Sequence, residues 1–194
     1  MKVELRQGDD VLQNFANGLG ALGEGRARKV MARALNRTGG PTLTKVRREL
    51  RTSTSAPAAV VRRQVVAAKA WAGDGSGPGK MEFVIRATGR PLPLSLFKPR
   101  EFRFGVRAKV WGSFQRYEGM FTRGGRWPDR VPLGRGGHVF VRTSAARLPI
   151  KRAFGPSLPK ELIEDKIVMV WRSSTARLGG DIAHELDREL SKFS

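Results

Sequence analysis

The spacing of apolar residues changes twice along the chain, and these changes constrain the fold more than any single residue does. Before residue 73, apolar side chains recur every three or four positions, as on one face of a helix. In residues 81–88 and 101–110 they alternate with polar side chains, as in a half-buried strand. After residue 157 the helical spacing returns. This order predicts an α+β fold, with N-terminal helices packed on an antiparallel β-sheet and C-terminal helices closing the domain.

The length of 194 residues suits one domain with a core of its own. We predict a single domain over 1–194, with a helical part at 1–72, a sheet part at 80–152 and C-terminal helices at 157–194. There is no apolar run long enough to span a bilayer and no signal-peptide core at the N-terminus, so we expect no membrane partner. The chain has no cysteine, which excludes disulfides and thiolate metal sites.

The helical part is predicted to contain a short helix at 11–22 and a longer one at 24–36. Gly39-Gly40-Pro41 then interrupts the pattern, because proline in a helix interior removes a hydrogen-bond donor and clashes with the preceding turn. The apolar stripe resumes after the proline in nearly the same phase. We therefore predict two collinear or kinked helical segments around this point.

Ser55 has the character of an N-cap, and it predicts a further helix over 56–72. The glycine-rich residues 73–79 follow as a predicted hinge. Ser157 and Pro159 open the predicted C-terminal helix, which Gly179-Gly180 interrupts.

The strand at 101–110 is predicted to bury one side and expose a charged side. Short strands near 117–122 and 138–142 complete the predicted sheet, and the basic, glycine-rich segment 123–137 connects them. Loops of that length are usually functional or disordered. The inward set is Phe102, Phe104, Val106, Ala108 and Val110, and the outward set is Glu101, Arg103, Arg107 and Lys109.

The net charge of +20 indicates an anionic partner such as nucleic acid, a membrane surface or an acidic protein. Residues 90–152 carry 15 Lys and Arg against 3 Asp and Glu. The alternative is a solvated basic face without a partner. Trp127 and Tyr117 lie among these cations and could stack on bases, pack against a partner or cover their own domain. The candidate interface or DNA-facing residues are Arg107, Lys109, Arg123, Arg126, Trp127, Arg130 and Arg135.

The last predicted helix reverses the charge of the chain. Its apolar stripe leaves the acidic residues to one side, so we expect them to stay in solvent in the monomer and to contact a basic surface of a neighbouring subunit. These subunit-interface candidates are Asp181, Glu185, Asp187 and Glu189.

No catalytic or cofactor-binding pattern is present. The only histidines, His138 and His184, fall in different predicted elements, whereas a metal site needs at least three convergent ligands. The glycines before Lys80 fail the phosphate-loop pattern, because Asp74 stands where the first glycine is needed and Met81 replaces the Ser or Thr. We therefore expect no enzyme activity, no metal and no cofactor.

Seven short phrases in a fixed order resemble the minor tail protein Z family of tailed bacteriophages, the tail-completion proteins. They extend over roughly residues 27 to 160, which is most of the chain. The phrases are Ala34-Leu35-Asn36-Arg37-Thr38, Leu92-Pro93-Leu94 with Phe97, Gly105-Val106, Gly119-Met120-Phe121, Val139-Phe140-Val141-Arg142, Arg147-Leu148-Pro149-Ile150 and Phe154-Gly155-Pro156-Ser157.

The resemblance implies a structural protein of the phage virion that completes the head-proximal end of the tail at the head–tail joint. Its implied partners are copies of itself in a ring of six around the DNA path, the tail terminator or tail tube, and the head–tail connector. Non-specific contact with genomic DNA is a further implication, and assembly would take place in the bacterial cytoplasm. The alternative is a general cytoplasmic nucleic-acid-binding protein that acts through phosphate contacts.

Overall fold

The computed structural model describes the backbone of residues 2–6 and the residues 23–73, 79–126, 128–133 and 136–192. The predicted helix at 11–22, Trp127 and Arg135 lie outside these ranges, as do residues 74–78 of the predicted hinge. The fold is α+β, as predicted from the sequence, with helices before and after a set of antiparallel strands.

The described elements are, in chain order, β1 (Lys2–Arg6), α1 (Glu24–Thr54), α2 (Ala58–Gln64), β2 (Val65–Ala68), β3 (Val84–Thr88), a 3-10 turn (Leu94–Phe97), β4 (Arg100–Phe102), β5 (Gly105–Val110), β6 (Ser113–Glu118), β7 (Arg123–Gly124), β8 (Val131–Pro132), β9 (Phe140–Arg142), β10 (Ile150–Arg152), α3 (Leu158–Glu161), α4 (Asp165–Thr175) and α5 (Leu178–Leu190).

Helix α1 runs without a break through Gly39-Gly40-Pro41, so the prediction of two segments is wrong. A proline in a helix interior costs about 3 kcal/mol. Val46 and Leu50, beyond the proline, are fully buried, and burial of such side chains contributes about 1.5–3 kcal/mol each. Continuing the helix therefore outweighs the proline. Gly39 also has a packing role, because a Cβ at this position would overlap the ring of Phe83.

The predicted helix at 56–72 is shorter than expected. Helix α2 ends at Gln64, and the chain continues as strand β2, so the part of the chain predicted to be helical also contributes to a sheet. Ser55 is not an N-cap. It ends α1 in the left-handed conformation, and its Oγ accepts a hydrogen bond from the Gly112 amide at 3.0 Å.

The strands form two three-stranded and two two-stranded antiparallel sheets among the described residues, where the sequence predicted a single sheet. The first sheet has the order β1-β3-β2 and the second has the order β4-β5-β6. The predicted strand at 101–110 is divided by a turn into β4 and β5. Gly105 begins β5 with φ of 146°, and a Cβ there would overlap the Tyr117 carbonyl oxygen, so only glycine fits this turn.

The C-terminal helices are divided differently from the prediction. Ser157 occupies the N-cap position of α3 without a side-chain capping hydrogen bond. The break before α5 falls at residues 176–177, and Gly179 and Gly180 lie inside α5. Helix α1 packs along α4 and α5.

Two apolar clusters make up the core. The larger one joins the C-terminal half of α1 to α2, β2, β3, β5, α3 and α4. The smaller one joins the N-terminal half of α1 to α5, through Val30, Leu35, Leu178 and Ile182. The sheet β4-β5-β6 therefore has one face on the core and one face directed away from it.

Candidate anion-binding surface

The outer face of the sheet β4-β5-β6 is a basic surface. Along β5, Val106, Ala108 and Val110 are buried, whereas Arg107 and Lys109 are exposed. The structure confirms the predicted alternation for 106–110. The prediction is wrong for β4, where Glu101 is turned inward and Phe102 is exposed, because Glu101 pairs with the buried Val106 and Phe102 pairs with Gly105. The two cations of β5 lie on a strand that is paired on both sides in its first half, not on a loop.

Three arginines lie side by side across the three strands. Arg107 of β5 is directly paired with Arg100 of β4 on one side and with Arg116 of β6 on the other. We call these three residues the arginine row. Because neighbouring strands are about 4.8 Å apart, the row is about 10 Å long. Like charges directly opposite each other destabilise a sheet. The arrangement therefore favours an anion that neutralises the row from outside.

Phenylalanine rings lie between these cations. The Arg107 Cζ lies 4.5 Å from the centroid of the Phe114 ring, and the Arg116 Cζ lies 4.2 Å from that of Phe104. Phe102 stacks on Phe104 with ring centroids 5.4 Å apart. Cation–π contacts of this kind hold a guanidinium group in place and leave its N–H donors free for a further partner.

A groove of about 440 Å³ follows this face. Its lining residues are Phe97, Lys98, Arg100, Phe102, Arg107, Lys109 and Phe114. A second cavity of about 450 Å³ shares Arg100 and Phe102 with the groove and extends the basic surface to Arg123.

The cations of this face have no internal ion pair with the described part of the chain. Glu118, at the far end of β6, is exposed on the same face, opposite Gly105. In contrast, Glu101 of β4 is turned away from the row and is only 7% exposed at its side chain. The positive charge of the face is therefore available to an external anion.

The described arginines of segment 123–137 differ in exposure. Arg123 and Arg126 are exposed, as expected for DNA-facing candidates. Arg130 is not: its guanidinium donates to the buried Glu101 carboxylate and to the Arg123 carbonyl. Glu101 also accepts from the amide of Thr122 at 3.0 Å and from its hydroxyl at 2.6 Å. The prediction that Arg130 faces a partner is wrong, because it fastens this segment to β4.

The acidic residues of α5 do not form a free acidic face. Asp181 and Glu185 are buried, and the Arg37 guanidinium contacts both, at 3.4 Å and 3.2 Å. Asp181 also accepts a 2.6 Å hydrogen bond from the Thr38 hydroxyl. The expectation that these residues stay in solvent is wrong for Asp181 and Glu185, because their charges hold α5 on α1 within one chain.

The two remaining acidic candidates differ from each other. Glu189 contacts Arg33 at 2.9 Å and Lys192 at 2.8 Å, and the hydrogen bonds from Lys192 and then Arg33 hold the pKa of its carboxyl below the ordinary value. Asp187 is exposed, as predicted. Only Asp187 is left as an acidic subunit-interface candidate.

A second basic groove of about 280 Å³ lies between α1 and α2. It is lined in part by Arg47, Arg48, Arg51 and Arg62. The Arg47 Nε donates to the Val65 carbonyl at 2.9 Å, and burial together with the neighbouring Arg62 lowers the pKa of the Arg47 guanidinium. Arg47 therefore has a structural role, connecting α1 to the start of β2.

Tyr117 and the histidines do not join the arginine row. Tyr117 faces inward against the core, and burial raises the pKa of its hydroxyl, so it is not a stacking residue of the outer face. His138 lies just before β9, and His184 is exposed on α5, in different places as predicted. Among the described residues, no group of three or more His, Asp and Glu side chains could hold a metal ion.

Sequence reasoning found Arg107 and Lys109 but missed Arg100, Arg116 and the three phenylalanines as members of the same face. The signal was present in the alternation of Phe114, Arg116 and Glu118, which has the same period as β5. Pairing the two strands was the missing step.

None of the helices in the described ranges combines the length and the apolar character needed to cross a membrane. Comparisons with protein-family models, curated proteins and solved structures find no match to this chain.

Proposed function

We propose that this chain is a structural protein of the phage virion that completes the head-proximal end of the tail at the head–tail joint. Copies of the chain form a ring of six around the DNA path, between the tail terminator or tail tube and the head–tail connector. The protein acts by binding and not by catalysis.

The observation that carries this proposal is the basic outer face of β4-β5-β6. A row of arginines at a fixed spacing on a sheet, without internal ion pairs to the described residues, suits a component that contacts an anionic neighbour. The DNA path through a tail is such a neighbour, and so is an acidic surface of an adjoining protein.

The positions of the phrases that resemble the tail-completion family also support the proposal. The Leu92 amide donates to the Pro156 carbonyl at 2.8 Å, and the Gly155 amide donates to the Leu92 carbonyl at 2.7 Å. Phe121 and Phe140, from two other phrases, also pair through their backbones in an antiparallel β-bridge. Phrases that are distant in sequence thus meet in pairs, which gives a physical reason for their joint occurrence.

An amber mutation in the gene of a phage that encodes this chain tests the proposal. In a non-suppressing host we expect filled heads and tails that fail to join into infectious particles. Adding the purified protein to that lysate should restore infectivity, and mass spectrometry of wild-type virions should find the protein in the tail fraction. Normal titres without the protein, or its absence from purified virions, would refute the proposal.

The alternative function, a general nucleic-acid-binding protein, is favoured by one observation. Phe114 is 61% exposed beside the cations, and exposed aromatics among cations are a feature of proteins that bind single strands. Under this alternative the protein co-purifies with cellular nucleic acid and is missing from virions, so the same mass spectrometry separates the two functions.

A further inference from the structure

We infer that the arginine row, Arg100–Arg107–Arg116, is a clamp for the phosphate backbone of duplex DNA. This inference rests on the proposed function and specifies which surface faces the DNA and how it binds. It concerns backbone contact alone, so the clamp reads charge and not base sequence.

The geometry of the row fits a linear polyanion. Its three arginines occupy directly paired positions on neighbouring strands, so their side chains start from one line across the sheet. Without an anion, this arrangement places like charges opposite each other and is unfavourable. Arginine presents a planar fork that binds a phosphate through two N–H donors, which a lysine cannot do.

Phe114 is 61% exposed, but the contacts of the rings with cations favour a double-stranded partner over a single-stranded one. Single strands bind by stacking their bases on exposed aromatic rings. Here Arg107 contacts the Phe114 ring, Arg116 contacts the Phe104 ring, and Phe102 stacks on Phe104. The cations thus compete with bases for the rings, and their own N–H donors are left for a phosphate. The rings orient the arginines more than they recognise bases.

A second copy of this chain is a poor occupant of the face. Each copy has a net charge of +20, so in the absence of DNA two copies repel each other within about a Debye length. The helix with the most acidic residues, α5, uses Asp181, Glu185 and Glu189 in ion pairs within its own chain.

The test compares two triple variants that remove the same charge from different surfaces. The row variant is Arg100→Ser, Arg107→Ser and Arg116→Ser. The control variant is Lys29→Ser, Lys69→Ser and Arg172→Ser, which removes three exposed cations from other parts of the fold. Fluorescence anisotropy with a mixed-sequence duplex measures binding as a function of salt concentration. Circular dichroism first establishes that both variants are folded.

Each phosphate contact contributes about −0.9 to the slope of log Kobs against log salt for duplex DNA. We expect the row variant to flatten this slope by about 2 to 3, and the control variant to leave it nearly unchanged. Arg107→Gln alone should flatten it by about 0.9, which provides an answer even if the triple row variant is poorly folded.

Three outcomes would overturn the inference. Equal slopes for the row and control variants would mean that net charge, and not the row, binds DNA. Tighter binding of a single strand of the same length, lost in the row variant, would indicate base stacking. If the row variant lost binding to polyglutamate but kept the salt slope of the unmodified protein for duplex DNA, the partner of the row would be an acidic protein. Each result is independent of the amber-mutation test, so failure of the clamp and failure of the tail function can be told apart.

Discussion

At the residue scale, one arginine of the basic segment differs from its neighbours because it has a buried partner. Arg130 donates to Glu101, whose side chain is only 7% exposed, while Arg126, four positions earlier, is exposed. Arg123, Arg126 and Arg130 are alike in sequence, so their different roles follow from what lies opposite them in the fold.

We predict that Arg130→Ser destabilises the protein by about 2–4 kcal/mol, because it leaves the buried Glu101 carboxylate without its cation. The matched control Arg126→Ser should change stability by less than about 0.5 kcal/mol, as is usual for an exposed side chain. Urea denaturation followed by circular dichroism measures both. Equal stability of the two variants would show that the Arg130–Glu101 ion pair does not hold the segment.

At the element scale, the position of α5 on α1 combines apolar burial with paired charges. Leu178 and Ile182 are buried against Val30 and Leu35, and Asp181 and Glu185 bind Arg37 beside them. The acidic character of α5 thus complements the basic character of α1 within one chain.

Reversing two charges of α5, Asp181→Lys with Glu185→Lys, should detach or unfold this helix, because each new cation would be buried beside Arg37. Breaking a buried ion pair costs about 3–5 kcal/mol, and the partial exposure of Arg37 reduces this figure. Asp187→Lys, at an exposed position of the same helix, is the control and should leave the helix in place. Hydrogen exchange of α5 amides reports the detachment, and protection equal to that of the control would contradict it.

At the scale of the whole molecule, the net charge of +20 opposes compaction. Salt acts on this repulsion and on the ion pairs of α5 in opposite directions. The described ion pairs are few and mostly involve an exposed cation, and exposed pairs contribute only about 0–1 kcal/mol each. Repulsion among the 37 Lys and Arg residues, which outnumber the 17 Asp and Glu residues, therefore dominates the response.

We predict that the melting temperature rises between about 0.01 M and 0.15 M salt, as the Debye length falls from about 30 Å to about 8 Å. Each kcal/mol of repulsion that is screened raises Tm by about 2–4 °C for a chain of this size. The variant Lys29→Ser, Lys69→Ser and Arg172→Ser, with three positive charges fewer, should respond less. Differential scanning calorimetry gives both values. A melting temperature that falls with salt would show that the ion pairs outweigh the repulsion.

Local patterns in the sequence were sufficient to predict much of the fold. The period of two, predicted over 101–110, correctly indicated the outward direction of Arg107 and Lys109 within β5, because burial of alternate side chains is a property of the strand itself. The helical stripe through Val30 and Leu35 predicted the buried side of α1 for the same reason. These features depend on residues a few positions apart.

The tertiary structure decided the features that depend on distant partners. The helix continues through Pro41 because its C-terminal half is buried under other elements. Arg130 faces inward because Glu101 lies opposite it, and Asp181 is buried because Thr38 and Arg37 meet it from a helix about 140 positions earlier. The arginine row exists only when three strands pair in register. No local spacing encodes such partners, since charges and packing surfaces recognise each other by their positions in space and not by their separation along the chain.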